Sequence, residues 1–180
     1  MKSKKNILYL SYDGLTDPLG QSQILPYLEG LSKLGFKFHI ISFEKAHKLA
    51  KSGRLLQKRC KASNIRWHPL KYTKKPPVLS TLKDLRILES KARSLHGELN
   101  FDLIHCRSYL TSLVAIKLKR SYSIPFIFDM RGFWADERVD GNIWNLKNPI
   151  YKSIYKYFKV RERSFLEESN AVVSLTHAGK

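Results

Sequence analysis

The sequence predicts an α/β fold of the Rossmann-like, doubly wound type, with a mostly parallel sheet of about six strands. Three observations predict it. Short apolar segments alternate with longer segments in which apolar residues recur every three or four positions, as in helices. The apolar segments lack the in-and-out alternation of half-exposed strands, which is typical of parallel strands covered by helices on both faces. Turn-forming residues separate the segments, so that strands and helices follow one another in βα units.

The first half of the chain predicts three strands and two helices. Residues 6–12 are rich in Ile, Leu and Tyr and predict the first strand. Apolar residues at helical spacing predict a helix over residues 21–34, which Gly35 ends. Pro26 falls in the early turns of this helix, where proline is tolerated better than in the middle. A strand, a basic helix and a short strand follow at residues 37–43, 45–63 and 65–69.

The second half repeats the pattern after an interruption. The segment KYTKKPPVLS contains two prolines and three lysines and predicts a solvated loop. Leucines at helical spacing then predict a helix over residues 79–95. Ligands of such sheets bind at the carboxyl ends of strands, so the loops that begin at Tyr12, Arg107 and Met130 form the candidate site. The remaining elements are strands at residues 101–106, 125–129 and 171–175, helices at 109–120 and 150–168, and a loop at 130–149.

The composition fits one domain, residues 1–180, in the cytoplasm. The 180 residues and the hydrophobic content of 43% suffice for a buried core. The net charge of +18 favours anionic partners, and a merely basic surface is the alternative. No apolar run is long enough for a membrane span or a signal peptide, so we expect membrane contact to be peripheral. Cys60, Cys106 and the histidines lack the spacing of a metal site, so we expect no metal. In a cytoplasmic protein we expect both thiols to be reduced.

The loop SYDGLTDPLGQSQ joins the first strand to the first helix. Gly20 precedes the helix, and Gln21 and Ser22 lie in its first turn, where free N–H groups and the helix dipole attract phosphate. The GxGxxG fingerprint and the GxxxxGK[ST] phosphate loop are both absent. The alternative, which the loop taken alone favours, is that the DG and DP pairs form turns and that Ser22 caps the helix.

A dense group of charged and aromatic residues follows the fifth strand in the segment FDMRGFWADERVDG. An arginine fork binds phosphates or hydroxyls, and carboxylates hold sugar hydroxyls or act as a general base. The alternative is an ion-paired surface loop in which Phe133 and Trp134 are buried. The candidate residues here are Asp129, Arg131, Asp136, Glu137 and Arg138.

The fourth strand ends in the segment DLIHCRS. His105 lies within the apolar run and is predicted to be a core histidine rather than a base. Arg107 and Ser108 end the strand, so we expect them to face the ligand crevice.

Two basic amphipathic stretches, residues 45–61 and 147–163, resemble helices that lie on anionic membranes. The alternative is that their apolar faces pack on the sheet while the lysines are solvated. We favour this alternative for the second stretch and leave both open for the first. Nucleic acid is the least favoured partner, because the basic residues are scattered and no nucleic-acid-binding motif is present.

Five motifs occur in order along nearly the whole chain: SYDGLTDPLGQSQILPYLEGLSKLG, FHIISFEK, DLIHCRSYLTSLVA, IPFIFDMRGFWADERVDG and AVVSLTHAGK. Together they resemble the N-terminal domain of family-4-type glycosyltransferases, which have the two-domain GT-B architecture. Residues 17–23 and 129–140 carry the specific part of the resemblance. The hydrophobic strands match many Rossmann-like domains.

The resemblance implies a retaining transfer of a sugar from a nucleotide-sugar donor, which is a substrate, with no cofactor and no active-site metal. This domain would hold the acceptor. We hypothesise that the acceptor is an envelope polysaccharide, exopolysaccharide or lipid-linked glycan and that the reaction takes place at the inner face of the plasma membrane. Gly20, Gln21 and Ser22 would approach the donor phosphates. Many members carry a histidine after the fifth strand. This sequence has DMRGFWADE there, which leaves Asp129 and Arg131 as catalytic candidates. The acceptor-binding candidates are Arg107, Ser108, Asp136, Glu137 and Arg138.

The resemblance also implies a C-terminal donor-binding domain, which carries a glutamate pair in this family and is absent from the 180 residues. The final SLTHAGK resembles the place where the first domain leads into the second. We therefore expect the isolated chain not to transfer sugar. The alternative is a non-catalytic, Rossmann-like binding subunit that needs a partner chain carrying the donor site.

Overall fold

A computed structural model describes residues 5–175 of the chain. It confirms the predicted fold class, because six parallel strands form one sheet in the order β3-β2-β1-β4-β5-β6, with helices between consecutive strands. The strand order reverses between β1 and β4, as in a doubly wound fold. The chain divides into two compact units, one ending at His105 and the other beginning at Cys106.

The first unit contains β1 to β3 and the first three helices. Most boundaries lie within two residues of the predicted ones, and only α3 extends clearly further, to Leu99. The elements are β1 (Asn6–Ser11), α1 (Leu25–Lys33), β2 (Lys37–Glu44), α2 (Ala46–Ala62), β3 (Ile65–Lys71) and α3 (Leu79–Leu99), and β4 (Leu103–Arg107) spans the boundary between the units.

The core of the first unit is built from rows of apolar side chains across the parallel strands. Tyr9 of β1 lies opposite Ile40 of β2, which lies opposite Trp67 of β3, and all three are buried. Leu28 of α1 and Leu56 of α2 belong to the same buried cluster. Each fully buried side chain of this size stabilises the fold by about 1.5–3 kcal/mol.

The helix predicted over residues 21–34 is two elements. A π-helical turn, Gly20–Ile24, precedes α1, and the Leu25 N–H donates to the carbonyl of Gly20, five residues earlier. Pro26 explains the wider turn, because it has no N–H to donate to the carbonyl of Ser22, four residues earlier. The sequence predicts the position of the proline but not the register change that it causes.

The second unit contains α4 (Ser108–Tyr122), β5 (Phe126–Asp129), α5 (Trp134–Asp140), α6 (Pro149–Glu168) and β6 (Ala171–Val173). Asn148 caps α6, since its side-chain oxygen accepts a hydrogen bond from the Ile150 N–H at 2.9 Å. The prediction of a continuous loop over residues 130–149 is wrong where α5 forms. The last strand is shorter than predicted and exposed, as expected for the edge of a sheet.

Aromatic packing holds the second unit together and explains α5. The Trp134 ring lies 4.9 Å from Phe158 of α6 and 5.8 Å from Tyr109 of α4. Tyr109 also packs edge-on against Phe128 of β5 and Phe165 of α6. A seven-residue helix is too short to be stable alone, so its formation depends on these tertiary contacts.

Candidate functional site

Glu44 organises the loop between β1 and the π-helical turn. This carboxylate is fully buried at the end of β2. It accepts hydrogen bonds from the Leu15 N–H at 2.7 Å, the Thr16 N–H at 3.0 Å and the Thr16 hydroxyl at 2.5 Å. The Ser42 hydroxyl donates to it at 2.6 Å and itself accepts from the Trp67 indole N–H. Sequence analysis missed Glu44, for which the only signal is a charge at the end of an apolar strand.

The glycines of this loop are required by packing within the chain. A Cβ at Gly14 would lie 2.6 Å from Glu44 Oε2 and 2.8 Å from the Phe43 carbonyl oxygen. A Cβ at Gly20 would lie 2.3 Å from the Gly14 carbonyl oxygen. All three distances are shorter than a Cβ atom can tolerate, so a larger residue at either position would displace the loop. Close approach of the backbone therefore accounts for Gly20 without a ligand.

The predicted phosphate-contacting residues already make contacts inside the loop. The Ser22 hydroxyl donates to the Pro18 carbonyl at 2.9 Å, so the prediction that Ser22 caps the helix is wrong. The Gln21 N–H donates to the Asp17 carbonyl at 3.1 Å, and Asp17 is held by Lys48 at 2.5 Å. Both Gln21 and Ser22 are exposed, and their role toward a donor stays a prediction.

In the second unit, Asp129 lies between two arginines. This carboxylate ends β5 and is only 6% exposed. Arg107 and Arg131 each place a guanidinium nitrogen 4.0 Å from one of its two oxygens. Arg131 has a φ of +64° and is followed by Gly132 at +139°, so the chain turns sharply after the strand. The predicted catalytic pair, Asp129 and Arg131, is thus brought together.

A cavity of about 430 Å³ opens beside this turn. It lies where β5 and β6 end, which is the edge at which parallel sheets bind ligands. Among the lining residues within the described range 5–175, Arg131 is the basic one, and Asp136, Glu137 and Asp140 are the acidic ones. Phe133, which is 49% exposed, supplies an aromatic face. The other lining residues are Met130, Gly132, Ser174 and Leu175.

Of the five predicted acceptor-binding residues, Asp136 and Glu137 line the cavity, whereas Arg107, Ser108 and Arg138 do not. Glu137 lines the cavity, and its carboxylate lies so close to Gly132 that a Cβ there would be 2.2 Å from Oε1. Arg107 is buried against Asp129. Arg138 lies over the Trp134 ring at 4.9 Å and, like Ser108, is not a lining residue. His105 is buried between the rings of Tyr9 and Tyr27, as predicted for a core histidine.

Asp136 lines the cavity but is tied to α6. Its oxygens accept hydrogen bonds from the Tyr155 hydroxyl at 2.7 Å and from Lys159 Nζ at 2.9 Å. Partial burial opposes ionisation, but these hydrogen bonds hold the pKa of Asp136 below its usual range. Lys159 also pairs with Glu162 at 2.7 Å, and Glu162 accepts from the buried Tyr109 hydroxyl. Asp136 therefore belongs to the network that docks α5 on α6.

We expect Asp136→Asn to lower the free energy of unfolding by about 1 kcal/mol, because it weakens a partly exposed ion pair and leaves other contacts in place. The neighbouring Glu137→Gln should change it by less than about 0.5 kcal/mol. Urea unfolding of the two variants checks both values. Equal stability of the Asp136 variant and the unchanged chain would contradict the docking role.

The side chains and helices of residues 5–175 determine whether this part of the chain could hold a metal ion or span a membrane. Within that range no group of three or more His, Cys, Asp or Glu side chains is placed to hold a metal ion. None of the helices in the same range is both long and apolar enough to cross a bilayer. Residues 176–180, which include His177 and most of the predicted junction segment, lie outside the described part of the chain.

Comparison with known proteins identifies a family by sequence and a fold by structure. The family model described as a glycosyl transferase 4-like domain matches residues 21–179. No curated protein sequence matches the chain significantly. Among solved structures, sucrose-phosphate synthase from Thermosynechococcus elongatus gives a TM-score of 0.63 at 14% identity, over 94% of this chain and 42% of that one.

Two further structures give weaker matches. The glycotransferase of kitacinnamycin gives a TM-score of 0.51 at 12% identity, over 90% of this chain and 40% of that one. The C-terminal domain of a hydrogenase from Pyrococcus furiosus gives 0.51 at 13% identity, over 68% of this chain and 88% of that one. The chain thus spans about two-fifths of the synthase and of the glycotransferase. At these identities the similarity shows the fold alone.

Proposed function

Because the chain belongs to the family of glycosyl transferase 4-like domains, we propose that it is the acceptor-side half of a retaining GT-B glycosyltransferase. The donor is a nucleotide sugar, and the acceptor is an envelope polysaccharide, an exopolysaccharide or a lipid-linked glycan. The donor-binding half is a separate domain, in the same polypeptide or in a partner chain. The reaction takes place in the cytoplasm, at the inner face of the plasma membrane.

The cavity beside Arg131 carries this proposal. Its volume of about 430 Å³ lies within the range of small-ligand sites, about 300–1,000 Å³. Glu137 and Asp140 offer carboxylate oxygens that accept hydrogen bonds from sugar hydroxyls, and Phe133 offers a ring for the apolar face of a sugar. Three carboxylates against one arginine suit a hydroxyl-rich acceptor better than a phosphate.

We assign catalysis of the sugar transfer to Arg131, with Asp129 as the residue that orients it. Arg131 donates hydrogen bonds to negative charge that develops on the leaving phosphate, and this lowers the barrier to transfer. Asp129 lies 4.0 Å from the Arg131 guanidinium and orients it. Gly20, Gln21 and Ser22 remain assigned to the donor phosphates, which requires Gln21 to give up its bond to Asp17.

In an active two-domain enzyme, Arg131→Ala should lower kcat by about 10²-fold, the usual effect of removing one charge-stabilising donor. Release of the nucleoside diphosphate from the donor, measured with saturating acceptor, reports this. Arg163→Ala is the matched control, because the Arg163 side chain is 83% exposed on α6 and pairs with Glu167 at the surface. Wild-type turnover of the Arg131 variant would remove the catalytic assignment.

A non-catalytic, Rossmann-like binding subunit that needs a partner chain carrying the donor site is the alternative. Both versions of the proposal expect no nucleoside diphosphate release by the isolated chain. Addition of a separate donor-domain protein restores transfer if the chain holds the acceptor. Tight binding of that protein without any transfer identifies a scaffold subunit instead.

A further inference from the structure

A surface at the start of α3 exposes apolar side chains in a strongly basic setting. Leu79 is 65% exposed, Leu82 is 50% exposed and Val78 is 37% exposed. The two prolines Pro76 and Pro77, which are also exposed, precede them. The sequence predicts only a solvated loop here, because it shows the lysines and prolines but not that the three apolar side chains lack cover.

Cations accompany these apolar side chains on the same surface. Lys74 and Lys75 lie in the preceding loop. Leu82, Lys83 and Arg86 lie three, four and seven residues after Leu79. This spacing places the four residues on one face of α3. The four cations are exposed, and the structure pairs none of them with a carboxylate within residues 5–175. We call Val78, Leu79, Leu82 and these four cations the α3 surface.

The α3 surface exposes no carboxylate of its own. Asp84 is the only acidic residue from Lys71 to Ile87, and it is fully buried. Asp84 Oδ2 accepts from the Tyr12 hydroxyl at 3.0 Å and from the Thr73 N–H at 3.1 Å. The one negative charge is thus used to fix the loop to the fold, and the surface presents positive charge and apolar groups alone.

We infer that the α3 surface docks on an anionic lipid bilayer, with Val78, Leu79 and Leu82 entering the boundary between headgroups and acyl chains. Charge complementarity selects this partner, because four cations that pair with no carboxylate of residues 5–175 meet a leaflet of negative headgroups while the apolar side chains leave water. The inference rests on the proposed function in one respect, since a lipid-linked acceptor brings the chain to a membrane.

The basic helix for which the sequence leaves membrane contact open, α2, fits this role less well. Lys45 and Lys48 are paired with Asp17, and Arg59 is paired with Glu29. The outward face of α2 keeps four cations, but it exposes one large apolar side chain, Leu55. Insertion into a bilayer needs both charge and an apolar face, and of α2 and the α3 surface it is the α3 surface that supplies both.

An environment-sensitive fluorophore attached to a single introduced cysteine locates the inserted surface. Leu79→Cys and Leu55→Cys are matched positions, 65% and 71% exposed. The native Cys60 and Cys106 are buried, and burial raises the pKa of the Cys60 thiol to about 11, so both stay unlabelled. With vesicles of phosphatidylcholine containing phosphatidylglycerol, the label at position 79 should shift to the blue and the label at 55 should not.

Three results of the labelling experiment overturn the proposal. The first is a blue shift at position 55 equal to or larger than that at 79. The second is no shift at either position while the chain sediments with the vesicles. The third is an equal response to vesicles of phosphatidylcholine alone, which would remove the electrostatic part of the argument.

Vesicle sedimentation measures how much the apolar side chains and the cations of the α3 surface each contribute to vesicle affinity. Leu79→Ser with Leu82→Ser should weaken binding to the anionic vesicles by about tenfold or more, whereas Leu55→Ser should change it less than about twofold. Replacement of the four cations of the α3 surface by Gln should weaken binding by about fivefold per residue. The matched control carries the same charge loss on α2, at Lys51, Arg54, Lys58 and Lys61.

Equal weakening by the two sets of Gln substitutions means that net charge alone drives binding, and it overturns the assignment to α3. Loss of a dimer in the Leu79/Leu82 double variant, with no vesicle binding by the unchanged chain, assigns the surface to a second copy instead. These assays contain neither donor nor acceptor. Failure of sugar transfer therefore leaves their result intact, and failure of vesicle binding leaves the transfer assay intact.

Discussion

Replacement of Glu44 by alanine is expected to lower the free energy of unfolding by about 3–5 kcal/mol, the largest single-residue effect that we expect in this chain. The carboxylate is the shared acceptor for the Leu15 and Thr16 N–H groups and for two hydroxyls. Each buried donor left without an acceptor costs about 1–3 kcal/mol, and water that enters the vacated space recovers part of the sum. Urea unfolding monitored by tryptophan fluorescence gives the value.

Glu29→Ala is the control for this measurement. Glu29 is also paired with a neighbouring helix, but its bond to Arg59 lies at the surface, so its loss should cost less than about 1 kcal/mol. Amide hydrogen exchange adds a local test, since the Leu15 and Thr16 amides should exchange faster in the Glu44→Gln variant than in the wild-type chain. Unchanged exchange and a loss of under 1 kcal/mol would show that the loop does not depend on Glu44.

The fold follows from the sequence because its signals are local and repeated. Apolar strands separated by amphipathic helices predict a parallel sheet, and the observed rows such as Tyr9, Ile40 and Trp67 are the consequence. α5 escaped prediction because its stability comes from Trp134 packing on Phe158, which lies 24 residues further along the chain. Whether such a short helix forms depends on its tertiary contacts, and the local sequence pattern does not show those contacts.

The candidate site, like the fold, was predicted from the sequence only in part. The sequence predicts which residue types gather after β5, and Asp129 and Arg131 do lie together. It does not predict partners, so Asp136 and Glu137 look equivalent as neighbouring acids although Asp136 is held by Lys159. Glu44 was missed for a related reason. Its importance comes from the backbone of a different βα unit, which approaches only in the folded chain.

Acid is expected to destabilise the fold through a histidine pair in which His39 is buried and His68 is partly buried. His39 of β2 and His68 of β3 stack with ring centroids 5.5 Å apart, and a nitrogen of each lies 3.3 Å from the other. A hydrogen bond between two neutral rings needs one donor and one acceptor, so a proton added to the accepting ring breaks it. The charged groups nearby are Lys37 and Arg66 beside His39, and Arg66, Lys91 and Glu98 beside His68.

These surroundings disfavour the charged form of both rings. Burial, then the neighbouring His68, Arg66 and Lys37, lower the pKa of His39 to about 4. Burial and the nearby Lys91 and Arg66 also lower the pKa of His68, against a weaker opposing effect of Glu98. In the unfolded chain a histidine has a pKa of about 6.5. Between these values the unfolded state binds more protons than the folded state.

The free energy of unfolding should therefore fall as the pH drops through about 6.5, and the part due to His39 should level off below about pH 4. With these values His39 alone removes about 2 kcal/mol between pH 7.5 and pH 5. Urea unfolding of wild type, His39→Gln and His47→Gln across this range tests it, with the exposed His47 as control. The His39 variant should lose most of the slope whatever its stability at neutral pH. Parallel curves for all three proteins would show that carboxylates, and not the histidine pair, set the response to acid.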